Sequence, residues 1–400
     1  MKRIALLIVS FLTIFTAQAI DLTGVKIYIN PGHGGYDSND RSVWTIPVPE
    51  VWKNPEGYWE SKSNLVKGLA LKEMLEAAGA TVIISRTDNT SGIRDGEQFA
   101  GGGDRDLSEI AEEANANNVD HFLSIHSNSL NTTTNYLLLL YHGYNDQPTV
   151  AQSLPMAQSS GPIQINNPLT VWTSPTPMLR GDFTFYGDNL GLGVLRPLTV
   201  PGFLSEGSFH DYPPETHRLM NNDFCKLEAI RFFQHFHNYF KRDMPATGTI
   251  AGFVKSGNEL VDILKQPKFT YRAGSDDQWL PLNEVTVKLL NADGSQVLKT
   301  YTTDNWYNGI FAFYDLQPGN YKLSFSLTNY ESKTVDVTVT ASEIAYTKAF
   351  LKNINIIVPD YPAPEQGDGA TALNQYDFVP DGNVENPTWL SSSSIRRILQ

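Results

Sequence analysis

"VKIYINPGHGGYDSND", Val25 to Asp40, decides how the fold is read. Val25, Ile27 and Ile29 alternate with more polar neighbours, as in a half-buried strand. Pro31 and Gly32 end that strand and place His33 on a glycine-rich turn, where backbone can approach a ligand closely. Taken alone, the segment reads more simply as a strand-ending turn with an incidental histidine. Its meaning depends on what the rest of the chain brings beside it.

Working outward, the chain alternates strand-like and helix-like segments from about Asp21 to Met244. "TVIISRT" (Thr81 to Thr87), "DHFLSIHS" (Asp120 to Ser127) and "VPGFLSEGS" (Val200 to Ser208) read as strands. Helical spacing of apolar residues predicts helices over Ser61 to Ala78, with Gly79 as the stop, over Leu107 to Asn117, and over Phe224 to Phe240. This alternation predicts an α/β domain with a largely parallel sheet flanked by helices. After "RDMPATG" the texture changes. Strands such as "TIAGFVK", "EVTVKLL", "IFAFY" and "YKLSFSL", separated by turns such as "NADGS" and "LQPGN", predict an all-β sandwich of roughly a hundred residues. The expected divisions are residues 20–245 and 246–353, meeting near Pro245. Residues 354–400 are rich in Pro, Gly, Asp and Asn and read as a linker or tail, expected to lead toward a further domain.

The chain has 400 residues, is 41% hydrophobic and carries a formal charge of −13, so it can build ordinary globular cores and is poorly suited to polyanionic partners. No Lys/Arg-rich block is present, and nucleic-acid binding is not expected. Lys2 and Arg3, the apolar run Ile4 to Phe15 and "AQA" at Ala17 to Ala19 predict a signal peptide over residues 1–19, cleaved after Ala19. The run is short for a transmembrane span, so the mature chain is expected to be exported to the periplasm or the cell exterior without one. Cys225 is the only cysteine, cannot form an internal disulfide, and sits in an apolar helical pattern that predicts a core position.

Ligand sites on parallel sheets lie at the carboxyl ends of the strands. His33, His126 and Glu206 each end a strand, and Glu60 begins the helix that follows the first, with Glu50 and Glu56 competing for its place. Two imidazoles and a carboxylate can hold zinc with one position open, and a further carboxylate can take a proton from water and return it to a leaving nitrogen. The other histidines read as structural. His235 and His237 stand two apart on a helix and face different ways. His121, His142, His210 and His217 fall in strand-start, aromatic or turn contexts, and His210 is the nearest to a motif.

An ordered set of segments carries a resemblance. "INPGHGG" comes first, then Glu60 and Asn64 with their helix, "VIISRTD", "RDLSEIAEEANANNVDHFLSIHSNS", and "RGDFTFYGDNLGLGVLRPLTVPGFLSEGSFHD". Together they resemble the zinc-dependent N-acetylmuramoyl-L-alanine amidases. The resemblance implies Zn2+ held by His33, Glu60 and His126, Glu206 as the catalytic acid/base, and peptidoglycan as the substrate, cut between N-acetylmuramic acid and L-alanine. A zinc peptidase acting on the stem peptide and an inactive wall-binding protein are the alternatives. The chain departs from the family pattern in three places. Tyr36 to Trp59 is long and contains Trp44, Trp52 and Trp59; Pro148 to Pro177 is divergent; and "GSFHD" after Glu206 keeps the family's aromatic as Phe209 but lacks its Ser-Asn. Residues 246–353 resemble carboxypeptidase regulatory-like or transthyretin-like sandwich modules through "GTIAGFVK", "NEVTVKLLNADG" and "FAFYDLQPGNYKLSFSLTNY". In these, Asp293 and Asp304 read as turn residues.

Overall fold

The computed structural model describes residues 21–36, 40–43, 57–89, 105–261 and 270–355. The expected signal peptide, the tail beyond residue 355, and Glu50, Glu56, Trp44 and Trp52 lie outside the described residues. No helix among the described residues is long and apolar enough to cross a membrane.

A six-stranded mixed sheet organises the first region. In chain order its strands and flanking helices are β1 (Lys26–Pro31), α1 (Glu60–Ala77), β2 (Thr81–Ile84), α2 (Leu107–Ala116), β3 (His121–Asn128), β4 (Leu138–Tyr141), α3 (Ser153–Ile165), β5 (Met178–Gly181), α4 (Asp182–Tyr186), β6 (Gly202–Phe209), α5 (Pro213–Leu219) and α6 (Asn222–Phe240). The spatial order is β2-β1-β3-β6-β4-β5. β2, β1, β3 and β6 run parallel, β4 is antiparallel to β6, and β5 is parallel to β4. Alternation sorts the side chains to two faces. Ile27, Ile29, Leu123, Ile125 and Phe203 meet α1, α3 and α6 on one side, while Tyr28, Phe122 and Leu204 meet α2 and the Val194–Leu198 segment on the other.

Local signals set the helix ends. The Asp106 carboxylate accepts a hydrogen bond from Ser108 N–H at the start of α2, and the Asn221 side-chain oxygen accepts one from Phe224 N–H at the start of α6. α1 gives way to Gly79 at φ 87°. α3 occupies part of the divergent Pro148–Pro177 stretch. Pro155 lies in its first turn, where a missing N–H is tolerated, whereas Pro162 lies inside the helix and removes a backbone hydrogen bond. Met156 and Ala157 bury against the sheet and hold the helix in place.

The second region is all β. β7 (Gly248–Leu260), β8 (Trp279–Pro281), β11 (Ile310–Leu316) and β14 (Ile344–Leu351) form one sheet; β9 (Thr286–Leu290), β10 (Val297–Thr302), β12 (Gly319–Ser326) and β13 (Lys333–Val339) form the other. Pairings are antiparallel except that of β7 with β14, which runs parallel from Thr249↔Ile344 to Ser256↔Leu351. Ile250, Val254, Phe311 and Phe313 of the first sheet pack against Val287, Leu289, Leu323 and Phe325 of the second.

The alternate residues of that first sheet are also covered. Ala251, Phe253, Ile310 and Ala312 share a core with Leu219, Met220, Phe224 and Leu227 of the α/β region. Polar contacts cross the same seam. Arg218 Nη1 lies 2.8 Å from Asp277 Oδ1, Lys255 Nζ lies 2.9 Å from the same oxygen, and Tyr212 O–H donates to Asp277 Oδ2. His217 Nδ1 is 2.8 Å from the Trp306 carbonyl oxygen, and Tyr314 O–H donates to Asp223.

Candidate metal centre

The parallel register aligns the strand ends. Pro31 of β1 pairs with Ile125 of β3, and His126 pairs with Glu206 of β6. His33, two residues past β1, therefore reaches the rim occupied by His126 and Glu206. α1 returns Glu60 to the same place because its first residue follows a two-residue ribbon, Ser42–Val43 with Tyr58–Trp59.

His33 sits at φ 61°, a left-handed backbone uncommon outside glycine. The surroundings hold it there. Arg86, buried, donates to the carbonyls of Pro31 (2.9 Å), Gly32 (3.0 Å) and Ser61 (2.6 Å), and the Asp40 carboxylate accepts from Gly34 N–H. Arg86 is the arginine of "VIISRTD", and its place shows what that motif does: it ties the His33 turn to the start of α1.

Ligand atoms of His33, Glu60 and His126 all lie within 4.8 Å of one another. His33 Nε2 is 3.2 Å from Glu60 Oε2, and His126 Nδ1 is 3.2 Å from Glu60 Oε1. Tetrahedral zinc with bonds of about 2.0–2.2 Å separates its ligands by about 3.3–3.6 Å, so the donors are spaced and typed for such an ion. Glu60 is fixed further by Ser127 N–H (2.9 Å) and Asn64 Nδ2 (3.2 Å). Burial opposes its ionisation, but His33 and the hydrogen bonds from His126 and His33 outweigh that and hold it well below the usual carboxylate range. Burial likewise disfavours a charge on His33, yet Glu60 wins and raises its pKa; at His126 burial dominates and lowers it.

Glu206 stands apart from the three. One of its oxygens, Oε2, is buried and has no hydrogen-bond partner. Burial, and next the Glu60 carboxylate, push its pKa up to about 8. Such a carboxyl is suited to exchange a proton near neutral pH. Beneath it lies a fully buried ion pair, Lys67 Nζ to Glu228 Oε2 at 3.0 Å, with Glu228 packed against Gly207. Both charges lie inside helical patterns, and only the burial of Glu60, Asn64, Lys67, Leu71 and Leu75 along one face of α1 reveals that this face is polar near the site and apolar beyond it.

His210 lies closer to the centre than a structural reading implied. Its Nδ1 is 3.0 Å from Ser127 Oγ and 3.7 Å from Glu60 Oε2, and its ring stacks on Tyr58. It supports Glu60 and is outside the three-residue group. His121 and His235 face each other at 3.3 Å in a box of Phe203, Phe236 and Tyr239, where burial lowers both pKa values. His142 is held by Asp182, and Cys225 is buried. Asp304 accepts hydrogen bonds from Asn221 and Asn308, and Asp293 accepts from Ser295 N–H in its turn.

The profile of the N-acetylmuramoyl-L-alanine amidase family matches residues 27–231. N-acetylmuramoyl-L-alanine amidase CwlM of Bacillus licheniformis is 25% identical over 207 residues, which is 51% of this chain and 64% of that relative. The chain thus spans less than two thirds of the curated relative's length. Among solved structures, the amidase AmiC2 of Nostoc punctiforme is 20% identical with a TM-score of 0.41, over 55% of this chain and 99% of that one. The amidase from Clostridium difficile 630 is 21% identical with a TM-score of 0.42, over 54% and 97%. With just over half of its residues matched by the family profile, the chain belongs to the N-acetylmuramoyl-L-alanine amidase family.

Proposed function

We propose that this chain hydrolyses the amide between N-acetylmuramic acid and L-alanine in peptidoglycan, with His33, Glu60 and His126 holding zinc and Glu206 as the acid/base. The observation that carries the reading is the meeting of these three donors at the carboxyl end of the sheet, within an amidase-family chain, beside the Glu206 carboxyl with its buried, unpartnered oxygen. Zinc held there would supply Lewis acidity toward water and the scissile carbonyl. The chain's own groups do the rest. Glu60 contributes negative charge to the centre; Arg86 and the Gly32 turn keep His33 aimed; Glu206 takes a proton from the attacking water and delivers it to the departing L-alanine nitrogen. In this reading the catalytic region is residues 20–245, the sandwich of residues 246–353 is accessory, and the substrate agrees with export through the expected signal peptide.

The test is digestion of purified peptidoglycan by the full chain, with and without a chelator, followed by mass spectrometry of the new ends. New L-alanine amines with intact muramic lactyl groups are expected, and the chelator should abolish them. Ends within the stem peptide would assign a peptidase instead, and no chelator-sensitive product would assign a wall-binding protein.

Gly32 gives a sharper check on the donors. A Cβ added at Gly32 would lie 2.0 Å from His126 Cε1 and 2.1 Å from its Nε2, so the ring has to move. Gly32→Ala should weaken zinc binding roughly 10- to 100-fold, as loss of a ligand's support does elsewhere. Competition with a chromophoric chelator measures it, and an unchanged affinity would remove His126 from the ligand set.

A further inference from the structure

His210 is a buried imidazole that the proposed reaction does not use, and it stands in "GSFHD", where the chain departs from the family pattern. Its Nδ1 is 3.0 Å from Ser127 Oγ and 3.7 Å from Glu60 Oε2. Ser127 donates its N–H to Glu60 Oε1 at 2.9 Å, and its hydroxyl is 3.0 Å from that of Tyr58, on whose ring His210 stacks. The imidazole thus braces the one carboxylate that His33 and His126 both contact.

What seats His210 comes in part from the sandwich. The turn after β6 leads directly into α5, and Thr216 Oγ1 of α5 donates to the His210 carbonyl at 2.5 Å. α5 has seven residues, well below the roughly 12–15 that an isolated helix needs in water. The sandwich grips it at both ends. Tyr212 O–H donates to Asp277 Oδ2 at 3.0 Å, and Arg218 Nη1 to Asp277 Oδ1 at 2.8 Å. His217 Nδ1 is 2.8 Å from the Trp306 carbonyl oxygen, and Asn308 Nδ2 donates to the His217 carbonyl at 3.3 Å. Glu215 accepts from Arg218 Nε and from Thr170 Oγ1 of the α/β region. Glu215, Arg218 and Asp277 are all buried, so moving any one of them strands the charge of another inside the protein.

We propose that the sandwich is a support of the metal centre: it grips α5 through Asp277, α5 seats His210, and His210 positions Glu60. His210 is a positioning residue, and Asp277 acts on the zinc site through it. This rests on the zinc reading above and adds a cause, outside the α/β region, for the placement of one donor.

Zinc affinity of the full chain, measured by chelator competition below the melting range of every variant, tests it. His210→Phe keeps a ring on Tyr58 but loses the nitrogen, and should bind zinc roughly 10- to 100-fold more weakly. Asp277→Asn touches no donor, yet should weaken zinc binding at least about threefold. Tyr212→Phe, which removes one hydrogen bond to Asp277, takes its place should Asp277→Asn fail to fold. In the His210→Phe background the seam variant should cost nothing further, because its route to Glu60 is already cut. Leu323→Ala opens the inner core of the sandwich, which shares no residue with α5, and should leave the affinity unchanged. Native affinity in His210→Phe or in the folded seam variant would overturn the proposal, as would losses that simply add in the double variant. So would a Leu323→Ala chain that loses zinc as the seam variant does, since the effect would then be general loosening. His33→Ala reports separately on the zinc reading. If it abolishes binding while His210→Phe and the seam variant bind normally, that reading stands and the support falls; a native chain that binds no zinc ends both.

Discussion

Glu206→Gln should retain stoichiometric zinc while its turnover on muropeptides falls roughly 100- to 10,000-fold, the usual contribution of a positioned acid/base. The amide keeps the size and polarity of the side chain, and Glu206 lies outside the His33, Glu60 and His126 group, so the donors are undisturbed. His33→Ala makes the complementary case: it removes a donor and should lose metal and activity together. Metal content by mass spectrometry, set beside kcat, separates the two. A Glu206→Gln enzyme that turns over normally would remove Glu206 from proton transfer; one that loses its zinc would make Glu206 a ligand.

The second large effect is on stability. Asp277→Ala should destabilise the protein by about 3–5 kcal/mol, because it leaves Arg218 and Lys255 buried without their shared counter-charge. Urea midpoints measure the loss, and a midpoint unmoved by the substitution would show the network to be inert. The same carboxylate implies a pH slope. Burial alone would raise the pKa of Asp277, but Arg218 and then Lys255 hold it well below its ordinary value. Its contribution is therefore complete above the unfolded pKa of about 3.9 and is lost as pH falls below that toward the folded value. The native chain should lose stability on acidification below about pH 4 more steeply than Asp277→Asn does.

The strand-end residues of the candidate site are legible in the sequence because parallel strands place their carboxyl ends on one rim. An apolar run that stops at a single histidine or glutamate marks that rim, as at His33, His126 and Glu206. Glu60 is legible through its spacing to Asn64, and the structure shows why that spacing matters, since Asn64 Nδ2 donates to Glu60 Oε1. Other features leave no local trace. "LLLL" at Leu137 to Leu140 carries no sign that β4 runs against β6, because buried strands look alike in either direction. Pro155, Gly161 and Pro162 hide α3 behind loop-forming residues, and only tertiary burial of Met156 and Ala157 overrides them. Lys67 and Glu228 read as ordinary helix-surface charges until the packing of α1 on α6 brings them together.

The strand "IFAFY" is apolar at consecutive positions, where a sandwich strand with one wet face would alternate. Ile310 and Ala312 point outward from the sandwich and land on α6, as Ala251 and Phe253 do. The two regions are therefore not beads on a string. A fragment ending at Met244 would leave Leu219, Met220, Phe224 and Leu227 wet and Arg218 without Asp277, a greasy, charged scar prone to clumping. Heat should melt both parts in one transition, and grafting the hydrolytic part onto a foreign wall-binding module would have to carry residues 246–351 along with it.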